Sequence, residues 1–498
     1  MADRIRMAPP RAGSMMEALR GLGYTTAAAL ADIVDNSVSA GSKEVRISFL
    51  WKGEESLISI LDDGRGMNDT EIESAMRLGG RSPLDTRDPT DLGRFGMGLK
   101  TASLSQCRRL TVASAKQGSA PCCLRWDLDA IAAREDDAWI LFEGPAEGSE
   151  GHLTVLDNKV SGTLVLWEVL DRVVTAGYTA DHFNDLIDDV EQRLSMIFHR
   201  LIQGPRAKFR LFINEKLIEP WDPFMSDHPS KPWNSPVANK YTPSGLVEVE
   251  CHVLPHKDRL TLKEQEQAGG PEGWTSQQGF YVYRNERLLL AGGWLGLGQG
   301  RAWHREESHR LARIRLDIPN SADADWKIDI RKSIARIPVA LRPWLIMLAE
   351  DTRDRARKVF AYRGVAATRL GSIPVEQVWR VEHTKAGVRY RVDDTHPSVV
   401  AVLESAGSQL TLVKSMLRVI EETVPVQRIW LDTAENKDTP LTAFEGEPNA
   451  AVIEVATALF NDLISRKGLS VEDARKSMLR TEPFQKYPAL IAELGSNQ

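Results

Sequence analysis

Between Asp32 and Lys100 three short polar pieces interrupt an otherwise apolar stretch, and they constrain this chain of 498 residues more than any other feature. The first, Ala-Asp-Ile-Val-Asp-Asn-Ser at 31–37, lies in an apolar run whose spacing predicts a buried helix. Asp32 and Asn36 are four apart, so they share one helical face. A carboxylate and a carboxamide facing one cleft can hold a water and a hard cation such as Mg2+, which takes oxygen ligands and keeps several waters beside phosphates. The second piece, Asp62-Asp63-Gly64-Arg65-Gly66-Met67, follows the alternating strand at 57–61, and its glycines let the backbone turn sharply beside a ligand. The third is Gly93-Arg94-Phe95-Gly96-Met97-Gly98-Leu99-Lys100, followed by Thr101-Ala102-Ser103, which can begin a helix. Three glycines, a helix start and a lysine make an anion cradle. It is not a Walker A loop, because Leu99 separates Gly98 from Lys100, and it lacks the third glycine of the dinucleotide fingerprint.

Taken in order and spacing, these pieces resemble the GHKL ATPase superfamily, which includes DNA gyrase B, the ninety-kilodalton heat-shock chaperone, histidine kinases, mismatch-repair MutL and MORC proteins. The N-box, an acidic residue then three residues then Asn, falls on Asp32 and Asn36. The DxGxG box falls on Asp62, Gly64 and Gly66, the GxxGxG box on Gly93, Gly96 and Gly98, and a late Gly-Thr on Gly162-Thr163. Within the superfamily the pattern looks most like prokaryotic relatives of MORC and MutL. The resemblance implies that Asn36 holds Mg2+, that Asp62 accepts the adenine amino group and that Thr163 binds adenine through water. It implies that Gly64, Gly66 and Met67 pass close to the base. Gly93, Arg94, Phe95, Gly96, Met97, Gly98, Leu99 and Lys100 would cover the phosphates of ATP. Asp32 stands where the family usually has Glu, the general base that orients water on the terminal phosphate. Asp is shorter by one carbon–carbon bond, roughly 1.5 Å, and a displacement of about 1 Å can cost on the order of a hundredfold in rate. Slow turnover is therefore expected, with ATP used as a timed switch. Asp35 is the alternative base, weighed against a buried helix carboxylate bonded to nearby amides.

A chain this long suits about three domains of roughly 150 residues. A composition 42% hydrophobic and 27% charged supplies ordinary cores, and the net charge of -6 gives no global attraction to nucleic acid. The four cysteines form no CxxC pair, which fits a reducing cytosol. No stretch approaches 18 uninterrupted apolar residues and the first residues lack an apolar signal core, so a cytoplasmic protein with no membrane partner is expected.

Alternation predicts strands at 45–50, 57–61, 110–115, 123–126, 153–156 and 163–169. A helix at 69–78 followed by Gly79-Gly80 and a polar stretch reads as a lid over 68–92. A periodic run at 181–201 predicts a long closing helix. Residues 1–204 thus read as an α/β (α+β) sandwich of one mixed sheet and helices. Tyr24, on the arm before it, is read as a core tyrosine or, by the resemblance, as a contact to a partner's pocket. Strands at 209–213, 247–254, 279–290 and 311–318 mark a second block at 205–341, which resembles the ribosomal-protein-like transducer domain of gyrase B, MutL and MORC proteins. Such domains place a lysine or arginine on the terminal phosphate, and Lys332 is the expected residue, with Lys327 and Arg331 behind it. A connecting helix at 342–365 leads to a small α/β domain at 366–498, where the resemblance ends.

Residues 284–342 carry 12 Lys/Arg against 7 Asp/Glu, interleaved with Trp294, Trp303 and His304. A basic face with aromatics can bind phosphate backbones; a solvated face over core tryptophans is the alternative. Cys251, His252 and His256 are poorly spaced for zinc. By the resemblance, ATP would pair two subunits into a homodimeric clamp on DNA, serving restriction, anti-phage defence or DNA repair, with a nuclease or helicase partner met through 366–498. Two rivals are a chaperone-like ATPase acting on polypeptide and a regulatory adaptor that binds ATP and recruits a nuclease.

Overall fold

The computed structural model describes residues 10–79, 97–361 and 376–495, apart from 158, 324, 330–334, 385–386, 428, 430–447 and 449. Gly93, Arg94, Phe95, Gly96 and Lys332, together with 80–92 of the expected lid, lie outside the described residues. Residues 1–364 form one compact unit and 365–498 another.

The first sheet contains β1 (Glu44–Leu50), β2 (Leu57–Asp62), β3 (Arg109–Ala115), β4 (Cys122–Asp127), β5 (Phe142–Glu143), β6 (Gly162–Glu168), β7 (Arg210–Ile213) and β8 (Lys216–Leu217). Their spatial order is β5-β4-β3-β6-β2-β1-β7-β8, antiparallel throughout except for the parallel pair β1·β7, so the sheet is mixed. Alternate residues Val45, Ile47 and Phe49 of β1 enter a core shared with Leu30, Ile33 and Val34 of a covering helix and with Trp167, Phe183 and Leu194. That core is built by α1 (Ala12–Arg20), α2 (Thr26–Ser39), α3 (Asp69–Met76), α4 (Gly98–Leu104) and the helix Ala180–Ile197. Thr25 caps α2 by accepting from the Ala28 N–H, and Asn68 with Glu71 forms a capping box on α3.

Three sequence expectations need correction here. The strand expected at 153–156 is a helical turn, Glu150–Leu153 running into Thr154–Leu156. Leu153 and Leu156 are three apart, a helical spacing, and they cover Ala113 and Leu164 on the far side of the sheet. The strand at 210–213 pairs with β1, so the first sheet runs past residue 204 to Leu217; Leu211 and Ile213 fill the same core as Val45 and Ile47. The single strand expected at 279–290 is a hairpin.

That hairpin lies in the second sheet, made of β9 (Trp233–Asn234), β10 (Ala238–Thr242), β11 (Gly245–Val253), β12 (Gly279–Arg284), β13 (Arg287–Ala291) and β14 (Ala312–Ile318). The order is β10-β11-β14-β12-β13, with β9 on β11 and β12 parallel to β14. Asn285 and Glu286, with φ of 49° and 68°, form a two-residue turn of the primed kind that matches strand twist. The helix Arg342–Ala361 buries Leu345, Ala349 and Ala356 against this sheet. An aromatic seam of Trp221, Phe224, Tyr281 and Tyr283 with Met196 joins the helix Ala180–Ile197 to the second sheet. It is reinforced by His199 Nε2 at 2.8 Å from the Tyr283 hydroxyl and by Arg200 at 2.5 Å from Asp317.

A third of the cationic residues of 284–342 go inward. Arg284, Arg287, Arg310 and Arg313 are buried, and Arg315 is paired with Glu250 and Asp317. Trp294 is a core residue, and the Arg353 guanidinium stacks 4.8 Å from its ring and 4.4 Å from that of Trp303. The tryptophans of this block are packing residues.

In the second unit β15 (Trp379–Thr384) and β16 (Gly387–Val392) form an antiparallel hairpin, accompanied by helices Pro397–Ser405, Leu410–Thr423, Ala450–Ser465, Val471–Leu479 and Pro488–Glu493. Leu459, Phe460, Leu463, Met478 and Phe484 make its core. Among the described residues no helix is long and apolar enough to cross a membrane.

Candidate active site

One end of the site is built where β2 stops. Asp62 stands opposite Thr163 in the register of β2 and β6. Its carboxylate is buried and accepts the Gly64 N–H at 2.9 Å and the Ser37 hydroxyl at 2.9 Å. Burial raises its pKa, and those donors oppose the rise. The Thr163 hydroxyl is 3.0 Å from that of Ser114, which donates to Gly162 O at 3.0 Å and accepts the Met67 N–H at 2.8 Å. A Cβ on Gly64 would lie 2.7 Å from Ser42 Oγ. At Gly66 φ is 65°, and a Cβ would lie 1.8 Å from the Ala115 carbonyl oxygen. The crowding at both glycines comes from the protein itself, from Ser42 and Ala40 at Gly64 and from the end of β3 at Gly66.

The other end is built on α2 and the start of α4. Asp32 is buried, and Tyr24, itself a core residue, donates its hydroxyl to Asp32 Oδ2 at 3.0 Å. Burial, then the neighbouring Asp32 charge, push the tyrosine pKa well up, so Tyr24 stays a donor. Gly98 comes close to the same oxygen: a Cβ there would lie 3.7 Å from Asp32 Oδ2. Met97 and Leu99 are half-buried, and Asn36 is exposed one turn along α2 from Asp32. Lys100 is buried, donates to Ala75 O at 2.8 Å, and has a pKa lowered by burial to about 8.

A residue of the second sheet reaches this end. Arg287 opens β13, and its Nε lies 3.3 Å from Asp35 Oδ1 and 3.2 Å from Oδ2. Its Nη2 is 3.7 Å from Asp32 Oδ1, and its Nη1 donates to Leu288 O at 2.8 Å. The Arg287 side chain is 5% exposed and that of Asp35 1%, so the pair is fully buried. Asp329 lies near enough to Tyr24 to raise its pKa further.

Residues 24–163 match the family model described as histidine kinase-, DNA gyrase B-, and HSP90-like ATPase. This segment is a GHKL ATPase domain. The chain is also similar to two DNA mismatch repair proteins MutL: that of Rickettsia felis is 35% identical over 94 residues, which are 19% of this chain and 15% of the relative. That of Rhodospirillum rubrum is 29% identical over 152 residues, 29% of this chain and 20% of the relative. The ATPase morc-1 of Caenorhabditis elegans is 31% identical over 90 residues, 18% of this chain and 10% of the relative. The chain thus spans between 10% and 20% of the length of these relatives.

The structure gathers Asp62, Gly64, Met67 and Thr163 around the end of β2 and places Gly98 beside Asp32, while Lys100 turns to the Ala75 carbonyl and Asn36 is exposed. Tyr24 contacts Asp32 of its own chain, and Asp35 is met by a guanidinium where sequence reasoning offered amides. Sequence reasoning missed Ser114 and Arg287. A serine inside an alternating strand carries no signal of its own. For Arg287 the signal was the Asn285-Glu286 turn, which, once read as a turn, leaves Arg287 as the first residue of a new strand.

Proposed function

We propose that this cytoplasmic protein binds ATP with Mg2+, hydrolyses it slowly and uses it to gate a homodimeric clamp on DNA. One observation carries the ATP reading: α2 serves both ends of the site. Its Ser37 is bonded to Asp62, and its Asp32 lies beside Gly98. They are five helical positions apart, about 7.5 Å along the axis. An adenine amino group would replace lost hydration at the buried Asp62 carboxylate, and Thr163 and Ser114 supply hydroxyls for a bridging water. The loop ending at Met97-Gly98 and Lys100 would then receive the phosphates.

Asn36, at the open side of α2, would hold Mg2+ among waters, and that ion supplies charge neutralisation on the terminal phosphate. Asp32 orients the attacking water and takes its proton. Tyr24 fixes one of its oxygens while leaving a lone pair there for water. Because Asp is shorter than Glu, turnover is slow. Lys332, three residues beyond Asp329, is the residue proposed to reach the terminal phosphate from a transducer domain built on the second sheet.

The DNA reading draws support from relatives named as DNA mismatch repair proteins. Binding surfaces on the second sheet would have to use residues other than its buried arginines. The unit 365–498 is proposed to recruit a nuclease or helicase, in restriction, anti-phage defence or repair. A second reading, an ATP-binding adaptor without useful hydrolysis, is favoured by one observation: Asp32 replaces Glu and is already engaged by Tyr24.

The deciding experiment is ATP hydrolysis with and without plasmid DNA, wild type beside Asp32→Ala and Asn36→Ala, with solution mass recorded under a non-hydrolysable analogue. DNA stimulation that falls steeply with salt, loss in both variants and a doubled mass support the clamp. Nucleotide binding without hydrolysis or dimerisation selects the adaptor, and stimulation by unfolded polypeptide selects a chaperone-like ATPase.

A further inference from the structure

We propose that Arg287 is a positioning residue for hydrolysis, one that holds Asp32 in place from the second sheet and so makes turnover conditional on how that sheet docks. The proposal deepens the ATPase reading and rests on Asp32 being the base. Asp32 and Asp35 are both buried on α2, three residues apart, and Arg287 brings one positive charge to both. A guanidinium is planar, so its edges can serve different acceptors at once. Nε faces Asp35, Nη1 is tied to the Leu288 carbonyl of its own strand, and Nη2 points toward Asp32 Oδ1. The 3.7 Å to Asp32 is too long for a hydrogen bond and acts through charge, whereas Tyr24 makes a real bond to the other oxygen. Asp32 is thereby held from two sides, by the chain before α2 and by the second sheet.

The consequence is mechanical. Arg287 follows directly on the Asn285-Glu286 turn, and both turn residues have positive φ. Because Arg287 is the first residue of β13, a shift of β12 and β13 against α2 carries the guanidinium with it and changes its distance to both carboxylates. An event on the second sheet would be felt at Asp32 without altering Asp62 or Thr163, which lie at the other end of the site. Arg287 is then expected to affect the rate of hydrolysis and not the affinity for ATP.

The test is steady-state ATP hydrolysis by the full-length chain carrying Arg287→Ala, Arg287→Lys, Asp35→Asn and, as reference, Asp32→Asn. Arg287→Ala is expected to lower kcat on the order of tenfold to a hundredfold, with KM for ATP within about twofold because its guanidinium is already taken up by Asp35, Asp32 and the Leu288 carbonyl. Arg287→Lys should recover part of the loss, since an ammonium keeps the charge but lacks the planar spread that reaches both carboxylates and the Leu288 carbonyl at once. Millimolar guanidinium should recover part of it in the Ala variant, and Asp35→Asn should mimic Arg287→Ala. A kcat unchanged in Arg287→Ala, or a KM that rises in step with the fall in kcat in both Arg287 variants, overturns the proposal. If thermal melting shows Arg287→Ala unfolded, Arg287→Lys and Asp35→Asn decide by the same split of kcat from KM. Asp32→Asn separates the two readings. If it hydrolyses like wild type, Asp32 is not the base and the ATPase assignment fails there. If it is inactive while the Arg287 variants are not impaired, only the positioning role fails.

Discussion

Asp62 illustrates how one residue trades stability for binding. Burial lifts its pKa above the usual 3.8. From that value up to its folded pKa the folded chain holds more protons than the unfolded chain, so stability falls as pH rises through the window. Asp62→Asn should remove this cost: its carbonyl still accepts from Gly64, and its amide faces the Ser37 hydroxyl, which can turn to accept. The variant is expected to melt higher at neutral pH without ligand, yet to bind ATP on the order of tenfold more weakly, because its amide opposes the adenine amino group. Calorimetry and titration calorimetry on the same preparation check both signs. Lys100 behaves in the opposite sense. Its pKa falls from 10.5 to about 8, so between these values the unfolded chain holds more protons and stability rises with pH. A neutral amine does not attract phosphate, so ATP affinity should decline above about pH 8. Titration of a fluorescent ATP analogue across neutral and alkaline pH should show that limb in wild type and lose it in Lys100→Met.

At the scale of elements, two turns carry most of the placement. Gly66→Ala combines a positive φ with an overlap on the Ala115 carbonyl, and a loss of about 3 kcal/mol is expected. Gly118 also has positive φ, but nothing lies within 4 Å of an added Cβ, so Gly118→Ala should lose only about 1 kcal/mol. Chemical denaturation of the two variants distinguishes crowding from conformational preference. In the 284–287 turn, Glu286 adopts a φ of 68° with no glycine to relieve it. Glu286→Gly should therefore stabilise by up to about 1 kcal/mol. The strands at 45–50, 57–61, 110–115 and 163–169 were legible because alternation is a property of consecutive residues, and each lies within a residue of where it was expected. Alternation cannot show an internal turn built from Asn and Glu without glycine, so β12 and β13 read as one strand. Nor does it distinguish Leu153 and Leu156 on a strand from the same residues on a helical turn, which depends on the sheet face beneath them.

For the whole molecule, residues 1–364 hold the candidate site, both large sheets and the aromatic seam. Expressed alone, this unit is expected to bind ATP with an affinity within a factor of about two of the full chain, because compact units with their own core fold independently; loss of binding on removing 365–498 would contradict that division. What the sequence determined by itself is local: the shared face of Asp32 and Asn36, the strand ending in Asp62, the glycines at 64, 66 and 98, and the Gly162-Thr163 pair. Each depends on spacing along a few residues, which helix and strand geometry convert directly into position. What only the tertiary structure decided depends on neighbours that spacing cannot name. Tyr24 reaches Asp32 across a bend, Ser114 joins Met67 to Thr163 across two strands, and Arg287 meets Asp35 from 252 residues away. The arginines of 284–342 read as a surface charge in sequence, yet folding turned Arg287, Arg310 and Arg313 inward onto carboxylates, carbonyls and aromatic rings. The physical reason is common to all of these: a buried charge or hydroxyl must find its partner, and which partner it finds is settled by the packing of distant elements.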